Sequence, residues 1–213
     1  MPPLMRADLL LVERGLANSR TAAQNLIDTQ RVWIDLPEGR SLVNKSSQKL
    51  ADDIELFIVP DPADRFVSRG GLKMQGALDH VGLDVTDLRV LDLGISTGGF
   101  SDCLLQAGAA SIVGVDVGHS QLAPKLANDA RVTLFEGVNA RHLQAAELGL
   151  EQAQPAIDLI VIDVSFISLK LVLPSAIPLL RPGGHLLSLV KPQFEVGREG
   201  LSKGGIVKDE RLY

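Results

Sequence analysis

The sequence has a single cysteine, Cys103, among its 213 residues, and it has no long uninterrupted apolar run. One cysteine excludes an intramolecular disulfide, which is typical of proteins from a reducing compartment. The most apolar stretch, IDLIVIDVSFISLKLVLPSAIPLL, is broken by two aspartates, a lysine and two prolines, so it falls short of the roughly 20 apolar residues that span a membrane. The N-terminus, MPPLMRADLLLVERG, has too short an apolar run for a signal peptide. We therefore expect a cytoplasmic protein without membrane association.

A polybasic arm is also missing. The net charge is −5, and residues 1–73 carry ten basic and ten acidic side chains, so the whole negative excess lies in residues 74–213. The net negative charge argues against a nucleic-acid partner at first sight, but charge alone does not decide the partner. Any RNA binding would depend on a few cations placed on one face of the N-terminal segment.

Residues 1–64 have the pattern of a small α+β domain. Helices are predicted in ADLLLVERGLA and in SRTAAQNLIDT, the second with Ser19 as its N-cap, and strands are predicted in RVWID and DDIELFIV. The prolines and acids of PDPADRF favour an extended boundary, and we expect a linker over residues 65–74. The first helix is predicted to bury one stripe of side chains: Leu9, Leu10, Val12 and Leu16.

From residue 75 the pattern changes to alternating strands and helices. Strands are predicted in RVLDLG, SIVGVDV, RVTLFEG, IDLIVIDV and GHLLSLVKP, with helical segments between them. This alternation predicts a doubly wound α/β domain over residues 75–213, in which helices cover both faces of a parallel sheet. The last segment, GGIVKDERLY, has the pattern of a loop that leads into another helix, so we expect the sheet to be C-terminally incomplete.

A glycine-rich turn, in VLDLGISTGGF, lies between the first of these strands and a helix. Glycines allow a positive φ and a close approach to a ligand. The turn lacks both the G-x-G-x-x-G pattern of dinucleotide-binding proteins and the Lys-Ser/Thr of a phosphate loop. Asp92 at this strand end suits a cationic amino group, and Asp116 at the next strand end suits the two hydroxyls of a ribose. The combination predicts S-adenosylmethionine as the ligand, the alternative being a tight turn that binds nothing.

Two further strand ends carry charged residues, Asp163 and Lys191. Because ligands of open α/β sheets bind at the carboxyl ends of the strands, we expect these side chains to lie together beside the methyl group. A ribose hydroxyl is a weak nucleophile, so Lys191 would act either as a base or as an electrostatic group; the alternative is a surface ion pair. Lys73, in SRGGLKM, is a third candidate, whose alternative is a solvated lysine. No metal site is predicted.

With these segments together, the chain resembles the TlyA (hemolysin A) family of ribosomal RNA 2′-O-methyltransferases, nearly from end to end. The resemblance is carried by RADLLLVERGLANSRTAAQNLI, SRGGLKM, LDLGISTGGFSDCLLQAGA, VDVG, DVSFISL, LVKPQFE and GGIVKD. As a set, these motifs are far more specific than any one glycine turn.

For the N-terminal domain, the resemblance implies the S4-type RNA-binding domain that is shared with a small-subunit ribosomal protein. Four residues match positions that contact RNA phosphates: Arg6, Arg14, Ser19 and Arg20. Arg6 and Arg20 would make charge-assisted contacts, which position RNA without reading its sequence. Before RVWID, where that domain usually has a glycine, this chain has Gln30 or Arg31.

For the rest of the chain, the resemblance implies the FtsJ-like methyltransferase fold with its Lys-Asp-Lys-Glu tetrad. Lys73, Asp163 and Lys191 match the first three members, and the glutamate would lie on a strand beyond Tyr213. Ile95 stands where the family prefers a small residue. The cofactor-binding positions that carry over are Asp92, Gly94, Ser96, Thr97, Gly98, Gly99, Phe100, Asp116 and Asn139.

The function that this resemblance implies is S-adenosylmethionine-dependent 2′-O-methylation of ribose in ribosomal RNA, with ribosomal RNA or ribosomal subunits as partners. Two alternatives stay open: a non-catalytic RNA-binding protein that retains a cofactor-binding domain, and a haemolysin-like activity. Because the sheet is expected to be incomplete, we also expect the 213-residue chain to be a weak or inactive catalyst.

Overall fold

The computed structural model describes residues 2–150, 157–209 and 211. The chain divides between Pro62 and Ala63 into two compact units. Within the described ranges, no helix has the length and apolar character needed to cross a membrane.

The first unit combines two helices with short antiparallel strands. Its helices are α1 (Ala7–Glu13) and α2 (Arg20–Asp28), and its strands are β1 (Leu4–Arg6), β2 (Val32–Leu36), β3 (Gly39–Leu42), β4 (Lys49–Ala51) and β5 (Leu56–Ile58). Strand β1 pairs with β4, and β2 lies between β3 and β5. Ser19 caps α2 as predicted, because its Oγ accepts a hydrogen bond from the Ala22 amide at 3.1 Å.

The apolar stripe of α1 differs from the predicted one. Leu10 and Leu11 are buried with Ala7, whereas Leu9 is 42% and Leu16 39% exposed. A helix of only two turns presents residues i, i+3 and i+4 to a core, and these are positions 7, 10 and 11. Leu16 lies beyond the end of the helix and therefore does not continue its stripe.

Gln30 lies between α2 and β2 and adopts φ 58°. This left-handed conformation costs a residue with a Cβ roughly 1–2 kcal/mol. The position is thus one where glycine would be unstrained, as the resemblance to the ribosomal domain implies.

The second unit contains a parallel five-stranded sheet in the order β10-β9-β6-β7-β8, so the predicted α/β class is confirmed. The strands are β6 (Arg89–Leu93), β7 (Ser111–Asp116), β8 (Val132–Glu136), β9 (Ile157–Ile162) and β10 (Leu180–Ser188). The helices are α3 (Gly70–Val81), α4 (Gly99–Gln106), α5 (Pro124–Ala127), α6 (Leu169–Ala176) and α7 (Pro192–Glu195). The strand order reverses between β6 and β9, which is where doubly wound sheets bind ligands.

Both faces of the sheet are packed. Along β9, Leu159 and Val161 belong to the cluster that contains α3 and α4 residues, while Ile160 and Ile162 belong to the cluster that contains α6 residues. Side chains that alternate between two cores make a buried strand continuously apolar, and this explains the run LIVI in β9.

Residues 65–74, for which the sequence predicts a linker, lie in the second unit, and α3 begins at Gly70. The Val67 amide donates to Asp102 Oδ2 at 2.8 Å, which ties this segment to α4. Gly71 contacts the Phe66 ring so closely that no Cβ would fit there. The glycines of SRGG therefore allow close packing within the unit.

Candidate active site

The carboxyl ends of β6, β7, β9 and β10 surround two adjoining cavities of about 280 and 250 Å³. Both cavities are lined by Gly94, Ser96, Asp163 and Ser165, so they are parts of one cleft. The first extends along β7, and the second extends toward α3 and the end of β10. The cleft lies at the switch point where β6 and β9 are neighbours.

The glycines of the turn are required by close packing against other parts of the protein, as well as leaving space for a ligand. Gly94 has φ 83°, and a Cβ there would lie 2.9 Å from the Asp163 carbonyl oxygen. Cβ atoms at Gly98 and Gly99 would overlap Leu126 and Ser68, respectively. Ile95 is 4% exposed and packs where Gly114 leaves room, so this larger residue is accommodated by the core.

Asp92 is a buried carboxylate in which, within the part of the chain that the structure describes, only one of the two oxygens accepts a hydrogen bond. Its Oδ2 accepts a hydrogen bond from Ser101 Oγ at 2.6 Å, and among the described residues nothing donates to its buried Oδ1. Burial, together with the nearby Asp163 and Asp116 carboxylates, raises the pKa of Asp92 to about 7 even though the hydrogen bond from Ser101 lowers it. A cation or N–H donor from outside the chain would satisfy the vacant oxygen and favour the ionised form.

Asp116 lines the first cavity at the end of β7. Its Oδ2 accepts from the Ser96 amide at 2.8 Å and its Oδ1 from the Gly118 amide at 2.7 Å. Each oxygen keeps acceptor capacity for a further donor. Asn139, whose Oδ1 accepts from the Arg141 amide at 3.0 Å, lines the same cavity with the apolar Val115 and Val138. One end of the cleft thus combines polar acceptors with an apolar wall.

Lys73, Asp163 and Lys191 all line the second cavity, although they come from α3 and from the ends of β9 and β10. Lys191 Nζ lies 2.7 Å from Asp163 Oδ1 and donates to Ser165 Oγ at 2.7 Å. The ion pair is largely shielded, since the two side chains are 20% and 24% exposed. Thr97 and Phe100 line this cavity as well, and Gly98 lines neither cavity within the described chain.

The sequence analysis did not predict three features of the cleft. Ser101 satisfies one oxygen of Asp92, and Ser165 holds Lys191. Phe166 lines the first cavity with φ 64°, is 91% exposed, and its ring lies 5.3 Å from that of Phe194. A bulky residue in the left-handed region is rare and is often strained for a functional reason. The aromatic residues in DVSF and KPQF, next to the candidate aspartate and lysine, could have indicated this pair.

In the first unit, the four residues predicted to contact RNA are all engaged with the protein. Arg6 donates to both oxygens of Asp8, at 3.0 and 2.9 Å, and Arg20 donates to Asp8 Oδ2 at 2.9 Å. Arg14 donates to the carbonyl oxygens of Asp52 and Ile54, and Ser19 caps α2. The Arg6 and Arg20 side chains are still 36% and 55% exposed, so N–H groups remain for an external anion.

Comparisons with known proteins identify the family of the chain. The FtsJ-like methyltransferase family pattern matches residues 66–212. The 16S/23S rRNA (cytidine-2′-O)-methyltransferase TlyA of Mycobacterium tuberculosis is 44% identical over 97% of this chain and 74% of that protein. Hemolysin A of Brachyspira hyodysenteriae is 38% identical over 98% of this chain and 82% of that protein.

A solved structure, described as a hemolysin from Streptococcus thermophilus, is similar over all of this chain and 74% of that one, with 38% identity and a TM-score of 0.69. The family expected from the sequence motifs is therefore confirmed. The chain belongs to the TlyA (hemolysin A) family of FtsJ-like methyltransferases.

Proposed function

We propose that this protein transfers a methyl group from S-adenosylmethionine to a ribose 2′-hydroxyl in ribosomal RNA, in the cytoplasm. The observation that carries the proposal is that Lys73, Asp163 and Lys191 line the same cavity. This cavity adjoins a second cavity that is large enough for a nucleoside. The 2′-O-methyltransferase activity in the name of a relative that is 44% identical supports the same reaction.

The cleft fits the cofactor in charge and in shape. The vacant Oδ1 of Asp92 would accept from the amino group of S-adenosylmethionine, and Asp116 would accept from its ribose hydroxyls. Asn139 and the apolar wall beside it would hold the adenine. Gly94, Ser96, Thr97, Gly99 and Phe100 form the rest of the turn around the cofactor, and Gly98 would act through the shape of that turn. When bound, S-adenosylmethionine supplies a methyl group on a positively charged sulfur.

Lys191, Lys73 and Asp163 would prepare the hydroxyl for this methyl group. An ammonium at the position of Lys191 would stabilise the negative charge that develops on the ribose oxygen as its proton passes to water. The oxygen would then bond to the methyl carbon while the carbon–sulfur bond breaks and its electron pair stays on the sulfur. Asp163 and Ser165 fix its direction through contacts of 2.7 Å each. Lys73, in the same cavity, adds a second positive charge near the oxygen.

RNA would be held at two places in the chain. Phe166 is exposed at the rim of the cavity, and its ring offers a stacking surface for the base of the target nucleotide. In the first unit, Arg6 and Arg20 keep exposed N–H groups beside the N-cap residue Ser19, and they would bind phosphates. Arg14 donates to two carbonyl oxygens but is also exposed, and its remaining N–H groups would bind phosphate as well.

The test is methyl transfer to isolated ribosomal subunits and to naked ribosomal RNA by the wild type and by Lys191→Ala. A 2′-O-methylated nucleotide resists alkaline cleavage of the following phosphodiester, and this readout separates ribose from base methylation. We expect Lys191→Ala to lose at least about 100-fold in rate while its affinity for S-adenosylmethionine changes by less than about threefold. Lys170→Ala, which removes an exposed lysine outside both cavities, is the matched control and should keep the wild-type rate.

Two outcomes would overturn the proposal. They are methylation of a base in place of the ribose, and a wild-type rate in Lys191→Ala.

A further inference from the structure

Two loops meet at the second cavity. The first, residues 163–168, connects β9 to α6, and the second, residues 189–191, connects β10 to α7. They touch at the Asp163–Lys191 ion pair and through the hydrogen bond from Lys191 to Ser165. Just beyond the second loop, the ring of Phe194 on α7 packs near that of Phe166. The relative position of the two loops therefore determines the distance between the groups assigned to catalysis.

A further contact, outside both cavities, joins the same elements. Glu195 Oε2 accepts from Ser168 Oγ at 2.6 Å, and its Oε1 accepts from the Leu169 amide at 2.8 Å. Both carboxylate oxygens thus bind the N-terminus of α6, where a negative charge is also favoured by the helix dipole. Glu195 lines neither cavity in the described structure and is therefore not placed to touch substrate or cofactor.

The element that carries both Lys191 and Glu195 is a single helical turn. Lys191 is the N-cap of α7, and its carbonyl accepts from the Phe194 amide at 2.9 Å. Four residues cannot hold a helix by themselves, so the position of α7 depends on its tertiary contacts. The two hydrogen bonds of Glu195 are the charge-assisted contacts at the end of α7 opposite to Lys191.

We propose that Glu195 is a positioning residue that holds Lys191 against Asp163 by anchoring α7 to the N-terminus of α6. This inference rests on the proposed function, because Lys191 must act in methyl transfer. Its effect would pass through the direction of the Lys191 ammonium and not through cofactor binding, since Asp92 and Asp116 lie on other strands.

The test compares steady-state kinetics of Glu195→Ala, Glu195→Gln and a matched control. We expect Glu195→Ala to lower kcat about 10- to 100-fold, because displacement of a catalytic group by about 1 Å has that effect. The KM for S-adenosylmethionine should stay within about twofold. Glu195→Gln retains an acceptor and should recover part of kcat. Glu147→Gln is the control, because Glu147 also caps a short helix, through the Gln144 amide at 3.2 Å, but lines neither cavity.

The outcomes separate this inference from the proposed function. If Lys191→Ala is inactive while Glu195→Ala keeps a wild-type kcat, the positioning role is wrong and the proposed function stands. A rise in the KM for cofactor equal to the loss in kcat would show a merely structural role and would also overturn it. Should Glu195→Ala fail to fold, Ser168→Ala removes one of the two hydrogen bonds, and an unchanged kcat there contradicts the inference.

Discussion

Each unit of the molecule contains a carboxylate with almost no exposed surface, and the two are bonded in opposite ways. Asp8 in the first unit accepts from Arg6, Arg20, Gln24 and the Leu9 amide. Hydrogen bonds from Arg6, followed by those from Arg20 and Gln24, hold the pKa of Asp8 well below its ordinary value. Asp92 in the second unit has only Ser101 among the described residues, and burial raises its pKa to about 7.

The difference separates a structural carboxylate from one that needs a ligand. Burying a charge costs several kcal/mol unless partners compensate for the lost water. The partners of Asp8 are all supplied by the chain, so the first unit is complete at this point. The second unit leaves one oxygen of Asp92 unpaired at the edge of a cleft, and this favours the protonated acid until a cation arrives.

The largest expected effect comes from replacing Asp92 with asparagine. The pKa of Asp92 in the folded chain, about 7, exceeds its ordinary value of 3.8, so the folded state keeps a proton that the unfolded state has lost between these two pH values. Stability therefore falls as the pH rises through this window, by up to about 4 kcal/mol. Asp92→Asn lacks this loss, and its stability relative to the wild type should increase between pH 4 and pH 8.

Urea unfolding at several pH values measures this difference, with hydrogen exchange of β6 and β9 reporting on the second unit. Subtracting the unfolding free energies of the two chains cancels the titration of groups that do not interact with Asp92. Saturating S-adenosylmethionine should shift the difference in stability at pH 8 in favour of the wild type, because the wild type gains a partner for its carboxylate and the variant does not. A difference that does not change with pH would contradict a raised pKa for Asp92.

A smaller loss is expected when the well-partnered carboxylate is removed. Asp8→Ala eliminates five hydrogen bonds and should lower the free energy of unfolding of the first unit by about 3 kcal/mol. The chain's one tryptophan, Trp33 in β2, reports on this unit by fluorescence. Asp35→Ala is the matched control, because Asp35 pairs with Arg40 at 3.0 Å on an exposed surface, and the stability of this variant should be close to that of the wild type. If the two variants were equally stable, burial would not determine how much the carboxylates of Asp8 and Asp35 contribute to stability.

The sequence could predict those site residues whose position depends only on the order of strands and helices along the chain. A parallel strand, a turn and a helix recur in order, so an acid at each strand end reaches the same edge of the sheet. Asp92, Asp116, Asp163 and Lys191 were predictable for this reason, and the structure brings all four to one cleft. The family followed from motif spacing along nearly the whole chain.

The features that could not be predicted depend on contacts between distant segments. Asp8 accepts hydrogen bonds from Arg20 and Gln24 of another helix, and Glu195 accepts one from Ser168, which is 27 positions away in the sequence. Nothing in the local pattern specifies these partners. The apolar stripe of α1 was predicted incorrectly because Leu9 and Leu16 fit a longer helix than the one that forms.

Strained backbone gives a second comparison between the units. Gln30 in the first unit and Ser96 in the second both have a positive φ, 58° and 47°. Ser96 lines both cavities, and its amide donates to Asp116, so its conformation serves the cleft. Gln30 is exposed and lies in the turn before β2.

The smallest expected effect is therefore a gain of stability at Gln30. Gln30→Gly removes a strain of roughly 1–2 kcal/mol, offset in part by the greater entropy of glycine in the unfolded chain, so the first unit should gain about 0.5–1 kcal/mol. Gln30→Val should lose stability, since a β-branched side chain tolerates the left-handed region least. Urea titrations followed through Trp33 can resolve both changes. The substitution Ser96→Gly should also relieve strain but weaken cofactor binding, because Ser96 Oγ holds Gln121 at 3.0 Å beside the first cavity. If Gln30→Gly instead destabilised the unit, the turn before β2 would have a role of its own, and strain would no longer separate the two units.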